Sequence, residues 1–367
     1  MSEFFKKPLL DAQSLHKQFT VGKKPGLFAK APKDWFRADR PVAKLHAVDD
    51  VTFTIGKGEV LGLVGESGCG KSTLVRLLTR LLDLTDGSIR LDGEEIGHLP
   101  AKGFGKSPYR PRIQMVFQDA GDSLNPRFTA FAAIADPIQR LKPLPRADLK
   151  LRVEALATMC GLPLELLGRF PHQLSGGQKA RVGIARAIAV EPDLLILDEP
   201  TAALDVSVQV VILQLLEDLK KRLGMSYLFV SHDLNVVRLL CDRVMVMYLG
   251  RIVETGPAEE VFRNPAHPYT KALLSAIPHF DQVKGSGAPP VPRLRISGEP
   301  RSPIDPSPKV CRFYGRCPKG QDACTESMPL LHGVGLEHSA GHSVACHFPV
   351  SDTDRKTAAV SLIEDVA

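Results

Sequence analysis

The sequence contains no apolar run approaching the roughly 20 residues needed to span a bilayer. Its first residues, Met1-Ser2-Glu3-Phe4-Phe5-Lys6-Lys7, lack the apolar core of a signal peptide. On both counts the chain is expected to stay in the cytosol. There disulfides are disfavoured, so its 7 cysteines are expected to be reduced, catalytic or metal-bound. There is no internal repeat. The charge imbalance is small, a net +6, and a solvated surface accounts for it, although it would also suit contact with phosphates or lipid headgroups. What remains is an ordinary globular composition, 44% hydrophobic and 24% charged, in 367 residues, enough for two or three domains with a sizeable core.

Apolar patterning gives the organisation. Residues 45–56 alternate apolar and polar and read as a strand ending in Gly56. Val60-Leu61-Gly62-Leu63-Val64 is continuously apolar, a buried strand. Ser72 to Leu82 has helical spacing, and residues 119–172 read mostly as helices broken by Pro137, Pro143, Pro145 and Pro163. Strands return at Leu194–Leu197 and Tyr227–Ser231, each after a helical stretch, which predicts a parallel sheet with crossover helices. Val244–Tyr248 and Arg251–Glu254 predict a hairpin turning at Leu249-Gly250. Residues 281–310, rich in Pro, Gly and Ser, read as a linker. A small cysteine-containing module is expected at 311–349, followed by a polar tail at 350–367.

Gly65-Glu66-Ser67-Gly68-Cys69-Gly70-Lys71-Ser72-Thr73 follows a predicted strand and opens a predicted helix, the context of a phosphate-binding loop. Glycines let backbone N–H groups crowd around phosphate oxygens, and the helix N-terminus adds partial positive charge. Lys71 is expected to reach the β- and γ-phosphates of a nucleotide, and Ser72 to coordinate Mg²⁺. Leu194-Leu195-Ile196-Leu197-Asp198-Glu199 is an apolar strand ending in two carboxylates, an arrangement that needs a compensating cation. Asp198 is expected to hold Mg²⁺ through water, and Glu199 to polarise the attacking water as general base.

Between these motifs lies Leu174-Ser175-Gly176-Gly177-Gln178. With that stretch in that place, the chain resembles the ATP-binding cassette (ABC) family. The resemblance implies an α/β P-loop ATPase core with a helical subdomain near 119–185, the whole nucleotide-binding domain running over 8–280. It also implies that two cassettes, identical or sister chains, close head to tail around two ATP molecules. Ser175, Gly176, Gly177 and Gln178 would then face the partner's ATP, and Asp205 would lie on the segment crossing the interface. Gln118 matches the family's glutamine that contacts Mg²⁺ and the water, and His232 its histidine that contacts the γ-phosphate. Phe19 aligns with the aromatic residue that stacks on adenine, with Trp35 and Phe36 as further candidates. After Gln178 the chain departs from the common pattern with Lys179-Ala180, which puts only the local interface in doubt.

The segments Asp119–Arg127, Gly250–Pro257, Asn264–Leu274 and Gly298–Ile304 are similar to the oligopeptide/dipeptide importer branch of that family. Its members work with two transmembrane permease subunits and, indirectly, an extracytoplasmic solute-binding protein, so this chain would sit at the cytoplasmic face of the inner membrane. No nucleic-acid partner is expected. The spacing of Cys311, Cys317, Cys324 and Cys346 fits neither common zinc pairs nor bacterial ferredoxin runs. It leaves an iron–sulfur cluster, a zinc site or structural thiols open, with His332, His338, His342 and His347 able to replace a thiolate. The importer resemblance implies a [4Fe–4S] cluster. A rival reading is a soluble metal-binding regulatory or assembly ATPase, not coupled to transport.

Overall fold

The computed structural model describes residues 7–21, 42–118, 120–276, 296, 298–334 and 341–350. The chain begins with β1 (Leu10–Thr20) and β2 (Lys44–Ile55), which pair antiparallel. The buried strand β3 (Val60–Val64) leads into α1 (Lys71–Leu78). β4 (Asp86–Leu91) and β5 (Glu94–Glu95) then complete a four-stranded antiparallel sheet in the order β2-β1-β4-β5.

The chain continues through α2 (Ala101–Phe104), β6 (Ile113–Val116), α3 (Ala120–Ser123), α4 (Ala130–Leu141), α5 (Arg146–Met159) and α6 (Gly176–Ile188). Next come β7 (Leu194–Asp198), α7 (Val206–Leu223), β8 (Ser226–Val230), α8 (Leu234–Leu240), β9 (Arg243–Tyr248) and β10 (Arg251–Pro257). α9 (Ala258–Arg263), α10 (Pro268–Ser275), α11 (Ala323–Glu326), β11 (His332–Gly333) and β12 (Ser343–Val344) close the list. The second sheet has the order β11-β12-β10-β9-β3-β8-β7-β6. It is parallel from β6 to β9, as the sequence predicts, and antiparallel from β9 to β11. No helix among the described residues is long and apolar enough to cross a membrane.

Continuously apolar strands suit this sheet because both of its faces are covered. Successive side chains point to opposite faces, so each strand feeds two cores. Leu61, Leu63, Leu194, Ile196, Leu228 and Val230 pack toward the antiparallel sheet. Val60, Val64, Leu195, Leu197, Tyr227 and Phe229 pack toward the helices. Each fully buried Leu, Ile, Val or Phe contributes about 1.5–3 kcal/mol relative to exposure, which fixes the register of the central strands.

Two expectations are corrected. α1 ends at Leu78 rather than Leu82: Arg80 takes a left-handed φ of 55°, and the amides of Leu81 and Leu82 turn back to Arg76 O at 2.8 and 3.1 Å. Pro137 does not break its helix but lies within α4. A proline costs one backbone hydrogen bond there, and the burial of Ile134 and Ile138 on either side holds the helix through it. The alternating pattern of β1 was not recognised as a strand in the sequence.

The hairpin does turn at Leu249-Gly250, with φ of 41° and 85°. Positive φ at both central residues matches the right-handed twist of the flanking strands. Residues 303–305 run beside β2, where Leu45 bridges Ile304 and His46 N–H donates to Pro303 O at 2.9 Å. β12 extends the large sheet through pairing with β10. Trp35, Phe36 and His338, most of the 281–310 stretch and the tail after 350 lie outside the described residues.

Candidate functional site

The loop from Gly65 to Thr73 connects the end of β3 to α1 at the carboxyl edge of the parallel strands. Its shape depends on glycine at two points. At Gly65, φ 154°, an added Cβ would lie 2.2 Å from Met247 O; at Gly70, φ 113°, it would lie 2.3 Å from Ala47 O. Lys71 is buried, and its ammonium donates to Gly65 O at 2.7 Å and Glu66 O at 3.1 Å. The side chain thus closes over the loop whose anion it is expected to meet. Burial raises the pKa of Cys69, with Lys71 opposing, so its thiol stays protonated.

β7 delivers the two carboxylates. Asp198 is only 8% exposed. Its pKa is raised by burial and then by repulsion from Glu199, with Lys71 pulling the other way. A carboxylate pair held in this way suits a cation. Glu199 has a left-handed φ of 48°, unusual for a residue with a side chain, and donates its backbone N–H to Val230 O at 2.9 Å. This conformation turns it out of the strand. Glu199 Oε2 accepts from Gln118 Nε2 at 3.2 Å and lies 3.1 Å from His232 Nδ1. Three residues from the ends of three parallel strands thus meet at one oxygen.

A cavity of about 460 Å³ holds these groups together. Ser67, Gly68, Cys69, Gly70, Lys71, Ser72, Thr73, Gln118, Glu199 and His232 line it, as does Phe19. Lys17 Nζ stands 5.1 Å from the Phe19 ring centroid. Gly65 and Asp198 are not among the residues that line it. Leu45, His46, Leu249, Gly250 and Pro303 also line the cavity and were missed in the sequence. They come from three separate segments, and only the tight Leu249-Gly250 turn had a local signal.

Ser175, Gly176, Gly177, Gln178 and Asp205 are not part of this cavity. Ser175 caps α6: its Oγ accepts from Gln178 N at 3.3 Å, and Gln178 Oε1 accepts from Ser175 N at 2.9 Å. The reciprocal pair satisfies two amides that a helix start leaves free. Ser175, Gly176 and Asp205 are exposed. An added Cβ on Gly177 would lie 2.8 Å from Val208 Cγ1, and one on Gly176 3.2 Å from Leu204 Cδ2. The glycines therefore let α6 seat closely on the first turn of α7 and the segment before it.

Residues 48–202 match the ABC transporter family, and residues 253–324 match the oligopeptide/dipeptide transporter C-terminal region. The oligopeptide transport ATP-binding protein AppF of Bacillus subtilis is 42% identical over 339 residues, 92% of this chain and 97% of that protein. OppF of Salmonella typhimurium is 43% identical over 346 residues, covering 93% and 96%. The chain belongs to the ATP-binding cassette family, in its oligopeptide/dipeptide importer branch. Among solved structures, the cassette resembles the dimeric, post-hydrolysis state of MJ0796 bound to ADP and Pi, with a TM-score of 0.58 and 26% identity over 68% of this chain and 98% of that one. CbiO1 of Clostridium perfringens gives a TM-score of 0.57 at 31% identity, covering 70% and 91%. As an ABC ATPase the chain uses ATP and Mg²⁺.

The cysteines of the C-terminal region do not yield a metal centre by geometry. Among the described residues no three His, Cys, Asp or Glu side chains form a set that could hold a metal ion, and the comparisons give the expected [4Fe–4S] cluster and its zinc alternative no support. The thiols are nonetheless neighbours. The pKa of Cys346 is raised to about 12, first by burial and then by Cys317, Cys311 and Cys324, with the Phe348 amide opposing. Of the candidate histidines, His342 is buried with its Nε2 2.7 Å from Glu254 Oε1, while His347 Nε2 lies 2.8 Å from Ser327 O.

Proposed function

We propose that this chain is the ATP-hydrolysing subunit that powers import of peptides or related small solutes through an ABC transporter. The observation carrying the reading is the meeting of Gln118, Glu199 and His232 opposite the Lys71 loop in one cavity. Phosphoryl transfer to water needs little covalent help from a protein, so positioning and electrostatics do the work. In this reading Phe19 stacks on the adenine. The amides of Gly65, Ser67, Gly68, Cys69, Gly70 and Thr73 and the ammonium of Lys71 hold the phosphates. Ser72, Gln118 and Asp198 would hold Mg²⁺, which neutralises phosphate charge when bound. Glu199 orients the attacking water and takes its proton. His232, whose Nδ1 already meets Glu199 Oε2, contacts the γ-phosphate and supports the geometry of the base.

The site is completed across an interface. Exposed Ser175, with Gly176, Gly177 and Gln178, would face the ATP held by the partner cassette, and Asp205 would lie on the crossing segment. The partner is an identical or sister ATPase chain. Two transmembrane permease subunits receive the motion through the helical subdomain, about 119–185 of a nucleotide-binding domain at 8–280. A solute-binding protein acts indirectly, and the chain sits peripherally on the cytoplasmic face of the inner membrane. The regulatory-ATPase alternative has less support, because the similarity runs through both the cassette and the importer-type C-terminal region.

The same reading assigns Cys311, Cys317, Cys324 and Cys346, in the 311–349 module, to a [4Fe–4S] cluster. Support comes from an all-thiol donor set whose members sense one another's charge.

The test is reconstitution with the permease subunits in vesicles, following uptake of a labelled peptide. Uptake should require both ATP and this chain. ATP hydrolysis by the chain that proceeds at full rate without permeases, with no uptake when they are present, would overturn the transport reading.

A further inference from the structure

Glu66 is the second residue of the phosphate loop, and all of its polar groups are held. Its amide donates to Tyr269 Oη at 2.8 Å. Its carbonyl accepts from Lys71 at 3.1 Å. Its carboxylate takes both arms of the Arg316 guanidinium, Nη1 to Oε2 at 3.0 Å and Nη2 to Oε1 at 3.3 Å. Arg316 Nη1 donates as well to Tyr248 Oη at 3.1 Å. The ion pair is partly shielded, with side chains 11% and 34% exposed for Arg316 and Glu66.

The supports of this contact are rigid. Tyr248, Tyr269 and Phe313 are all buried, and their ring centroids stand 4.7 to 5.5 Å apart. Phe313 stands between two arginines that both reach back to the cassette. Arg312 Nη2 donates to Asp49 Oδ2 at 2.6 Å, and Arg316 reaches Glu66. Tyr269, Arg312 and Arg316 all fall within the C-terminal region, residues 253–324.

A carboxylate inside a phosphate-binding loop is electrostatically out of place, since it repels the anion the loop must bind. A bidentate arginine removes that charge and fixes the carboxylate's direction at the same time. We propose that Arg316 is a positioning residue for ATP: it neutralises Glu66 and holds the phosphate loop in its anion-binding shape, so the C-terminal region is a working part of the nucleotide site. This rests on the assignment of Gly65–Thr73 as the phosphate site.

The test measures ATP Kd, KM and kcat in the assembled complex for Arg316→Met, Glu66→Gln, the double variant and Arg316→Lys. Loss of a charge-assisted bond to a partly buried carboxylate weakens binding by about tenfold. Arg316→Met should therefore raise Kd and KM about tenfold, with kcat much less affected. Adding Glu66→Gln should restore most of the loss, because the unpaired carboxylate causes it. Arg316→Lys, which keeps the charge without the fork, should fall between and remains informative if the methionine variant does not assemble. Wild-type affinity in Arg316→Met, or in Arg316→Lys should that variant alone assemble, would overturn the proposal. So would a loss that Glu66→Gln leaves in full, which would make Arg316 a packing residue on Tyr248. Lys71→Ala is the control. If ATP binding survives it, the phosphate-site assignment fails. If binding is lost there while Arg316→Met is silent, only the role of Arg316 fails.

Discussion

Replacing His267 by Asn should flatten the acid limb of the protein's stability curve. His267 is 1% exposed and caps α10, its Nδ1 accepting from Tyr269 N at 3.1 Å. Its ring lies 5.6 Å from that of Phe313. Burial lowers its pKa from 6.5 to about 4, and the nearby Glu254 carboxylate only partly opposes this. The folded protein therefore keeps the ring neutral, while the unfolded chain takes up a proton as pH drops below 6.5. The stabilisation is complete above 6.5 and is lost as pH falls through that value toward 4. A gap of this size amounts to about 3 kcal/mol over the whole window, of which about 2 kcal/mol is lost by pH 5. Asn keeps a side-chain acceptor for the helix cap and removes the titrating ring. Its packing loss lowers stability equally at both ends of the pH range. Denaturant unfolding at pH 8 and pH 5 gives the assay. The wild type should lose about 2 kcal/mol more than His267→Asn between those values. Equal losses would refute the argument that a buried neutral His267 couples folding to pH.

Ser175→Arg should stop turnover of the ATP held by the partner cassette while leaving nucleotide binding at Lys71 intact. Equal hydrolysis by isolated chains and full complex, unchanged by the substitution, would count against a shared site. Anaerobically purified protein should be brown and carry about four irons per chain, and Cys317→Ser should bleach it while ATP binding survives. Stoichiometric zinc without iron would remove the cluster and leave the ATPase untouched.

The candidate site was legible because its residues lie in short contiguous motifs. Gly65–Thr73, Asp198-Glu199, Gln118 and His232 each follow a buried parallel strand, and strands pointing the same way bring their ends to one edge. The remainder depends on long-range contacts that leave no local pattern. Pro303 reaches the cavity through a single backbone hydrogen bond to His46, and Arg316 finds Glu66 across 250 positions. Both sit in a stretch whose composition suggests a linker and a separate small module. Pro137 misled for the opposite reason: its local preference against helix was real, but burial of its neighbours outweighed it. The cysteine spacing gave a donor set without a geometry.

The central claim is that Glu199 is the base of an ATPase built from this chain. Its most direct test is the ATP hydrolysis rate of the assembled complex carrying Glu199→Gln. Removal of a general base costs about 10²–10⁴-fold in rate, so turnover should fall by that factor while ATP still binds. A rate near that of the wild type would contradict the account.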